Sequence, residues 1–450
     1  MVLAMSRHCS ILYRTSCHRS DVMVVVDCVI RGGRIIDPKN GIDIIGDVAV
    51  HQDVIHSVGE GLQVTGKEEF NAEGCLVTPG LIDGHVHCYQ YATPLGVNPD
   101  ERCLSRGVTT IVDAGSAGSS TFLGLRKFIA ERSKTRVLCY LHIAAHGLAA
   151  AGCASGAPGG ESDCLNQLDV KACRDVLEQN RDIIIGVKAR LSESITNQGE
   201  NEQEVYRRAM EVGRQCRVPT MIHHTLSSIP TQGSAGDRRL CCPRDMAPGD
   251  IYTHTYHGFP STIIDPETGD ILNDVIEARK RGVLFELGHG QGSFSWTVAE
   301  MCAKKSFWPD IIGTDLHSGN LDGPVYDLPR VMTKLLHLGM PLYDVIAAVT
   351  VNTANAIGRG SDLGSLSPGM EADVTVLKIE EIDRDLDDSQ AQTRRVRQWI
   401  APIAVWRKGN RHEITEPKQI PNKEAMKLNA MDWPNLLIKD SNPPSVLQNQ

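Results

Sequence analysis

The sequence predicts an α/β protein, a (β/α)8 TIM barrel carrying a small β-sandwich built from N- and C-terminal segments. Eight apolar runs follow one another with amphipathic segments between several of them, at 81–87 (LIDGHVH), 108–115, 137–147, 182–190, 218–225, 250–258, 282–290 and 310–317. Near-continuous apolar runs are what parallel strands covered on both faces require. From the first run to the helix after the eighth is about 260 residues, against about 250 for a typical barrel of this kind. Strand-like pieces broken by Gly, Asp-Pro and Asn-Gly occupy 24–79, and a matching set returns at 369–379 and 401–414; turn chemistry of this type separates short antiparallel strands.

The expected organisation is a leader over 1–23, sandwich strands over 24–79, the barrel over 80–360, the rest of the sandwich over 361–416 and a polar tail over 417–450. One connecting segment shows the pattern of an outer helix. In NEQEVYRRAMEVGRQC, Val205, Ala209, Val212 and Cys216 form one stripe, with Arg207, Arg208, Glu211 and Arg214 on the remainder. Two connections are longer than the barrel needs, 147–162 after the third run and 226–250 after the fifth. Long loops after barrel strands usually shape the site, so both are expected to wall or cover it.

Composition excludes several classes. The chain has 450 residues, 41% hydrophobic and 22% charged, with a net charge of −9 and no long basic run, which argues against nucleic acid as a partner. No uninterrupted apolar stretch reaches the length of about 18 residues that a membrane helix needs. Fourteen Cys form no CxxC pair, so reduced thiols in the cytoplasm are expected rather than a disulfide framework. Arg7, Arg14 and Arg19, with no acid before Asp21, also fit a mitochondrial transit peptide; a leader without an address is the alternative.

The chemistry concentrates where strands end. His85 and His87 are two apart on an extended strand, so both imidazoles face the same side of the barrel mouth. Lys188 sits inside the apolar run IIIGVKAR, where an ammonium is costly to desolvate. It either snorkels to the rim or has an amine able to add CO2, giving a carbamate that bridges two cations. His223 and His254 end the fifth and sixth runs, and either alone could be an ordinary core histidine. Asp315, in GTDLH, is placed to be a ligand and a base, or a helix cap. Taken together the six suit a site of mixed nitrogen and oxygen donors, which favours Zn2+ and admits Mn2+, Fe2+ or Co2+. His146, Arg190, His257, His289 and His317 lie close to strand ends and are candidates for orienting substrate or ligands, Arg190 by pairing with a substrate carboxylate.

TPGLIDGHVH, GVKAR, MIHH, YTHTYHG and GTDLH, with VNTANAIGRGSDLGSLSPGMEADVTVL at 351–377, resemble the metal motifs and barrel-closing segment of the amidohydrolase superfamily, over about Val24 to Ile414. Within it the chain is similar to the deacetylase-like, or dihydroorotase-like, branch. The resemblance implies one divalent metal held by His85, His87, Lys188 and Asp315 and a second by Lys188, His223 and His254, with Lys188 an N6-carboxylysine formed from CO2. It further implies a binuclear zinc hydrolase that cleaves a small N-acyl or O-acyl substrate by attack of a hydroxide shared by the metals, with Asp315 moving the proton. Substrate contacts would come from Arg190, His257 and His289. A cyclic amidase of the dihydroorotase or hydantoinase type would use the same ions, and an inactive scaffold on this fold is the non-enzymatic alternative. A deaminase fits less well, because a single-metal site needs no bridging lysine and no HxxE follows the fifth run. The partner is a small acylated molecule, and assembly into a homo-oligomer is common for such barrels.

Overall fold

The computed structural model describes residues 24–150, 159–234 and 236–416, so the expected leader and tail lie outside the described residues. The chain opens with β1 (Val24–Asp37), β2 (Ile42–His51), β3 (Val54–Gly59), β4 (Val64–Asn71) and β5 (Leu76–Pro79). Next come the parallel strands β6 (Leu81–Val86), β7 (Val108–Gly118), β8 (Arg136–His142), β9 (Ile184–Leu191), β10 (Thr220–His224), β11 (Ile251–Thr253) and β12 (Leu284–Phe285), which pair in sequence order in one seven-stranded sheet. The chain returns as β13 (Val374–Asp387), β14 (Thr393–Arg407) and β15 (Asn410–His412).

The eighth apolar run joins the barrel through single bridges, Glu286 to Ile311 on one side and Val86 to Leu316 on the other. Backbone bonds complete the closure: Asp315 N–H donates to the His85 carbonyl at 2.7 Å and His87 N–H to the Leu316 carbonyl at 2.9 Å. The sixth and seventh strands are shorter than the runs at 250–258 and 282–290 predict. Non-extended backbone explains this, with His254 at φ 67, Gly288 at φ 49 and Gly290 at φ 55, since left-handed residues cannot continue a ladder.

Side chains along each strand alternate between two environments. Inward columns start apolar and end polar: Leu138, Tyr140, His142 on β8; Met221, His223 on β10; Ile251, Thr253 on β11. The apolar members share a core with Ile82, Val112, Ala114 and Ile311 at the barrel floor. Outward residues such as Val137, Cys139, Ile222 and Tyr252 belong to the larger core beneath the helices. In helix Glu202–Cys216, Val205, Ala209, Val212 and Cys216 are buried, as their spacing predicts. On β8, β10 and β11 the period of two thus delivers apolar packing at the bottom and polar side chains at the top, while His254 and Asp315 are reached through left-handed backbone.

The accessory strands form one continuous eight-stranded sheet, ordered β15-β14-β13-β5-β1-β2-β3 with β4 beside β1. β5 joins the two ends of the chain, running parallel to β1 and antiparallel to β13. This sheet curls around a core of its own that includes Ile30, Ile35, Val48, Val77, Val374, Val376 and Trp406. Gly80 marks the junction with the barrel: a Cβ there would lie 2.3 Å from Thr109 Oγ1 and 2.8 Å from Asp373 Cβ, so only glycine lets the two layers meet. Phe70 stands edge-on to Trp406 at 5.2 Å, and Trp406 is 1% exposed. Trp406→Ala is therefore expected to cost about 3–5 kcal/mol of stability, measured as a lowered denaturation midpoint; a midpoint equal to that of wild type would show that this core is not cooperative with the barrel.

Candidate active site

Asp315 is held against β6 by its backbone bond to His85, and its own backbone is left-handed at φ 52, as is that of His254 at φ 67. Such backbone costs on the order of 1–3 kcal/mol per residue and persists where surrounding structure enforces it. The carboxylate is aimed at the two histidines of β6 and the residue after it. Asp315 Oδ1 lies 3.4 Å from His85 Nε2 and 3.1 Å from His87 Nε2. One atom from each of the three falls within 4.8 Å of the others, the geometry of a cation site.

The opposite ring nitrogens are occupied. His85 Nδ1 is 3.2 Å from Glu286 Oε2 and 3.2 Å from Thr253 Oγ1. Glu286 is fully buried, and its oxygens accept from the Gly288 N–H at 2.7 Å and from the Thr253 hydroxyl. Burial pushes the Glu286 carboxyl up, opposed by the Thr253 hydrogen bond. With a carboxylate facing Nδ1, the ring proton of His85 sits on Nδ1 and Nε2 presents a lone pair. Two acceptors, Nε2 and Asp315 Oδ1, then face each other, which is stable only across a shared proton or cation. His87 Nδ1 is 3.0 Å from Ser116 Oγ, and the Ser116 N–H donates to the buried Asp113 at 2.7 Å.

His254 Nδ1 donates to the Gly288 carbonyl at 2.7 Å, which leaves Nε2 as a free lone pair. His223 Nε2 is taken by Thr225 Oγ1 at 2.7 Å and Ser192 Oγ at 3.2 Å, which leaves Nδ1. The His254 ring is 5.3 Å from that of His85 and 4.3 Å from that of His223, so the three histidines form a contiguous row. Burial lowers all three well below the usual histidine range, His254 to about 3. They are neutral imidazoles, the form that binds metal.

Lys188 is 1% exposed, and its Nζ is buried without a hydrogen-bond partner. Burial lowers it to about 8, against the pull of Asp315 and Glu286. It does not snorkel. A buried, unsatisfied amine beside three neutral imidazoles and a carboxylate is a donor set that fits divalent cations.

Arg190, His257 and His289 have protein partners. Arg190 Nη1 pairs with Glu161 Oε1 at 3.2 Å. His257 Nδ1 accepts from the Phe259 N–H at 3.2 Å and its ring stacks on Phe259. His289 Nε2 accepts from Lys334 Nζ at 2.6 Å. His146 is partly buried beyond β8, while the His317 ring lies 6.5 Å from that of His87. Cys242 is buried with Sγ 3.8 Å from Met246 Sδ, and the Tyr206 hydroxyl donates to the Cys241 carbonyl at 3.4 Å. The Cys pair thus anchors the loop after β10 to the outer helix. In the loop after β8, residues 151–158 lie outside the described residues.

Sequence reading missed Glu286, Ser116, Asp113 and Thr253. Glu286 carried the same signal as Lys188, an ionisable residue inside an apolar run, in GVLFELGHG. Asp113, inside VTTIVDAG, carried it too, whereas Ser116 and Thr253 had no such contrast.

Comparisons with known proteins identify the family and the fold. The model of the amidohydrolase family matches residues 76–411. A deacetylase of Brucella anthropi is 32% identical over 363 residues, covering 80% of this chain and 86% of its own length. Among solved structures, an adenine deaminase matches with a TM-score of 0.76 at 26% identity, covering 86% of this chain and all of its own. A dihydroorotase matches with a TM-score of 0.74 at 27% identity and the same coverage. The chain belongs to the amidohydrolase family, hydrolases of C–N bonds.

Proposed function

We propose that this protein is a deacetylase-like hydrolase, releasing the acyl group of a small N-acyl or O-acyl compound at a pair of divalent ions, most simply zinc. The observation that carries the reading is the acceptor pair formed by His85 Nε2 and Asp315 Oδ1, 3.4 Å apart, with the unpartnered Lys188 Nζ buried close by. Deacetylases are also the relatives that share most of the chain.

His85, His87, Lys188 and Asp315 would hold one ion, and Lys188, His223 and His254 the other. When bound, such a pair polarises an acyl carbonyl and brings the pKa of water toward neutrality. The chain's own residues prepare that chemistry. The free amine of Lys188 attacks the carbon of CO2, forming an N–C bond and releasing one proton, and the resulting carbamate offers two oxygens in place of an orphaned nitrogen. Glu286 and the Gly288 carbonyl hold His85 and His254 in the tautomers that leave Nε2 free. Asp315 keeps Oδ1 toward the imidazoles and takes the proton of the attacking water at Oδ2, then returns it to the departing nitrogen or oxygen.

A cyclic amidase is the second reading, favoured by the likeness to a dihydroorotase structure; it would use the same residues and differ in the loops after β8 and β10. The buried free cysteines, with no disulfide among the described residues, support a reducing compartment such as the cytoplasm.

Protein purified without chelator is expected to carry about two divalent ions per chain. In Lys188→Ala the count should fall and hydrolysis of acetylated amino acids and esters should vanish, as read by plasma mass spectrometry beside the assay. A metal-free wild type, even after reconstitution with zinc and bicarbonate, would refute the reading in favour of a scaffold. Glu286→Ala should weaken metal retention against a chelator by about 10–100-fold, and unchanged retention would remove Glu286 from the site. Asp315→Asn should lower kcat by about 10²–10⁴-fold; retained turnover would assign proton transfer elsewhere.

A further inference from the structure

Asp315 arrives on the least regular part of the barrel. β12 contains only Leu284–Phe285, and beyond it the chain is joined to the eighth apolar run by separate bonds: Leu287 N–H to Ile311 O at 3.0 Å, His289 N–H to Gly313 O at 3.3 Å and Gly290 N–H to Thr314 O at 3.0 Å. The last of these precedes Asp315 by one residue. Gly290 also lies against the carboxylate, since a Cβ there would be 2.5 Å from Asp315 Oδ2. Two left-handed glycines in three residues give this stretch little stiffness of its own.

It is braced from outside the barrel. Lys334, on helix Leu328–His337, is fully buried, and its Nζ donates to His289 Nε2 at 2.6 Å, to the Pro324 carbonyl at 2.9 Å and to the Asp387 carbonyl. The Gly290 carbonyl only accepts, so His289 Nδ1 donates to it at 2.9 Å and Nε2 is left to accept from Lys334 Nζ. The His289 ring stacks on Phe294 at 4.6 Å and 14°. The turn between β13 and β14 completes the brace: Ser389 N–H donates to the Phe294 carbonyl at 3.0 Å, and Ser389 Oγ donates to the Gly290 carbonyl at 3.0 Å. A methionine would fill this space without the cost of burying an amine. Three directed hydrogen bonds meeting at one point are what a methionine could not supply.

We propose that Lys334 is a positioning residue for Asp315, acting through His289 and the β13–β14 turn, so that the accessory sheet takes part in setting the catalytic carboxylate. The inference rests on the reading of Asp315 given under the proposed function. Lys334 touches no reacting atom; it fixes the Gly290–Thr314 link that sets where Asp315 Oδ2 lies. Small misplacements of a reacting group are expensive, about 100-fold for 1 Å.

The test uses full-length protein as Lys334→Met and Ser389→Ala, with hydrogen exchange of the 286–296 peptides, metal content and steady-state kinetics on an acetylated substrate. Lys334→Met is expected to keep its metal, to exchange faster at 286–296, and to lose kcat by about 10–100-fold with KM nearly unchanged. Ser389→Ala should move the same quantities in the same direction by less, and it decides the matter if Lys334→Met fails to fold. Exchange and kcat at wild-type levels in a folded variant would overturn the proposal. So would faster exchange with unchanged kcat, because the brace would then be structural only. A wild type without metal or hydrolysis would instead overturn the reading of Asp315, while the exchange data would still report whether Lys334 orders the loop.

Discussion

A parallel sheet of eight strands becomes a barrel only if its last strand reaches its first, and here that meeting is made by the site itself. The Asp315 N–H bonds to the His85 carbonyl at 2.7 Å, and the His87 N–H bonds to the Leu316 carbonyl at 2.9 Å. The backbone of three candidate ligands is therefore the seam of the fold. Their side chains converge because the seam is closed, and the left-handed backbone of Asp315 is tolerated because bonds on both sides determine it. Fold and site share one constraint.

Around the seam a few groups serve more than one ligand. Glu286 faces His85 Nδ1 and accepts from the Gly288 N–H, while the Gly288 carbonyl accepts from His254. A single buried carboxylate thus orients two neighbouring imidazoles of the histidine row, one directly and one through Gly288. Asp113 does related work by holding Ser116 beside His87. Partners of this kind set which ring nitrogen is free, and that choice decides whether a histidine can bind an ion at all.

Much of this was legible in the sequence because barrel strands carry two signals at once, an apolar run and a polar residue at its end. His85, His87, Lys188, His223, His254 and Asp315 stand out against Val, Ile and Gly neighbours; the structure brings ligand atoms of His85, His87 and Asp315 within 4.8 Å of one another and sets the His254 and His223 rings in a row beside His85. Strand boundaries were legible where β-branched runs continued, as in β9, and less so at β11 and β12, where glycines and a left-handed histidine end the ladder early. The pairing of Arg190 with Glu161 and of His289 with Lys334 was not legible. Each joins residues far apart in the chain through loops or sheets whose approach no local pattern encodes. The accessory strands could be recognised from turn chemistry, but their union into one curled sheet depends on β5 finding partners at both ends of the chain.

That dual pairing of β5 has a consequence for how the protein is made. Val77 is opposite Ile35 on one side and Val376 on the other, so one neighbour is synthesised early and the other about 300 residues later. Until β13 emerges from the ribosome, β5 is an open edge with unpaired N–H and C=O groups, next to apolar side chains that have no cover. The whole barrel is translated while that edge waits. Assembly is dominated by long-range contacts and is correspondingly slow, and a chain truncated before β13 would leave the edge permanently exposed to other chains.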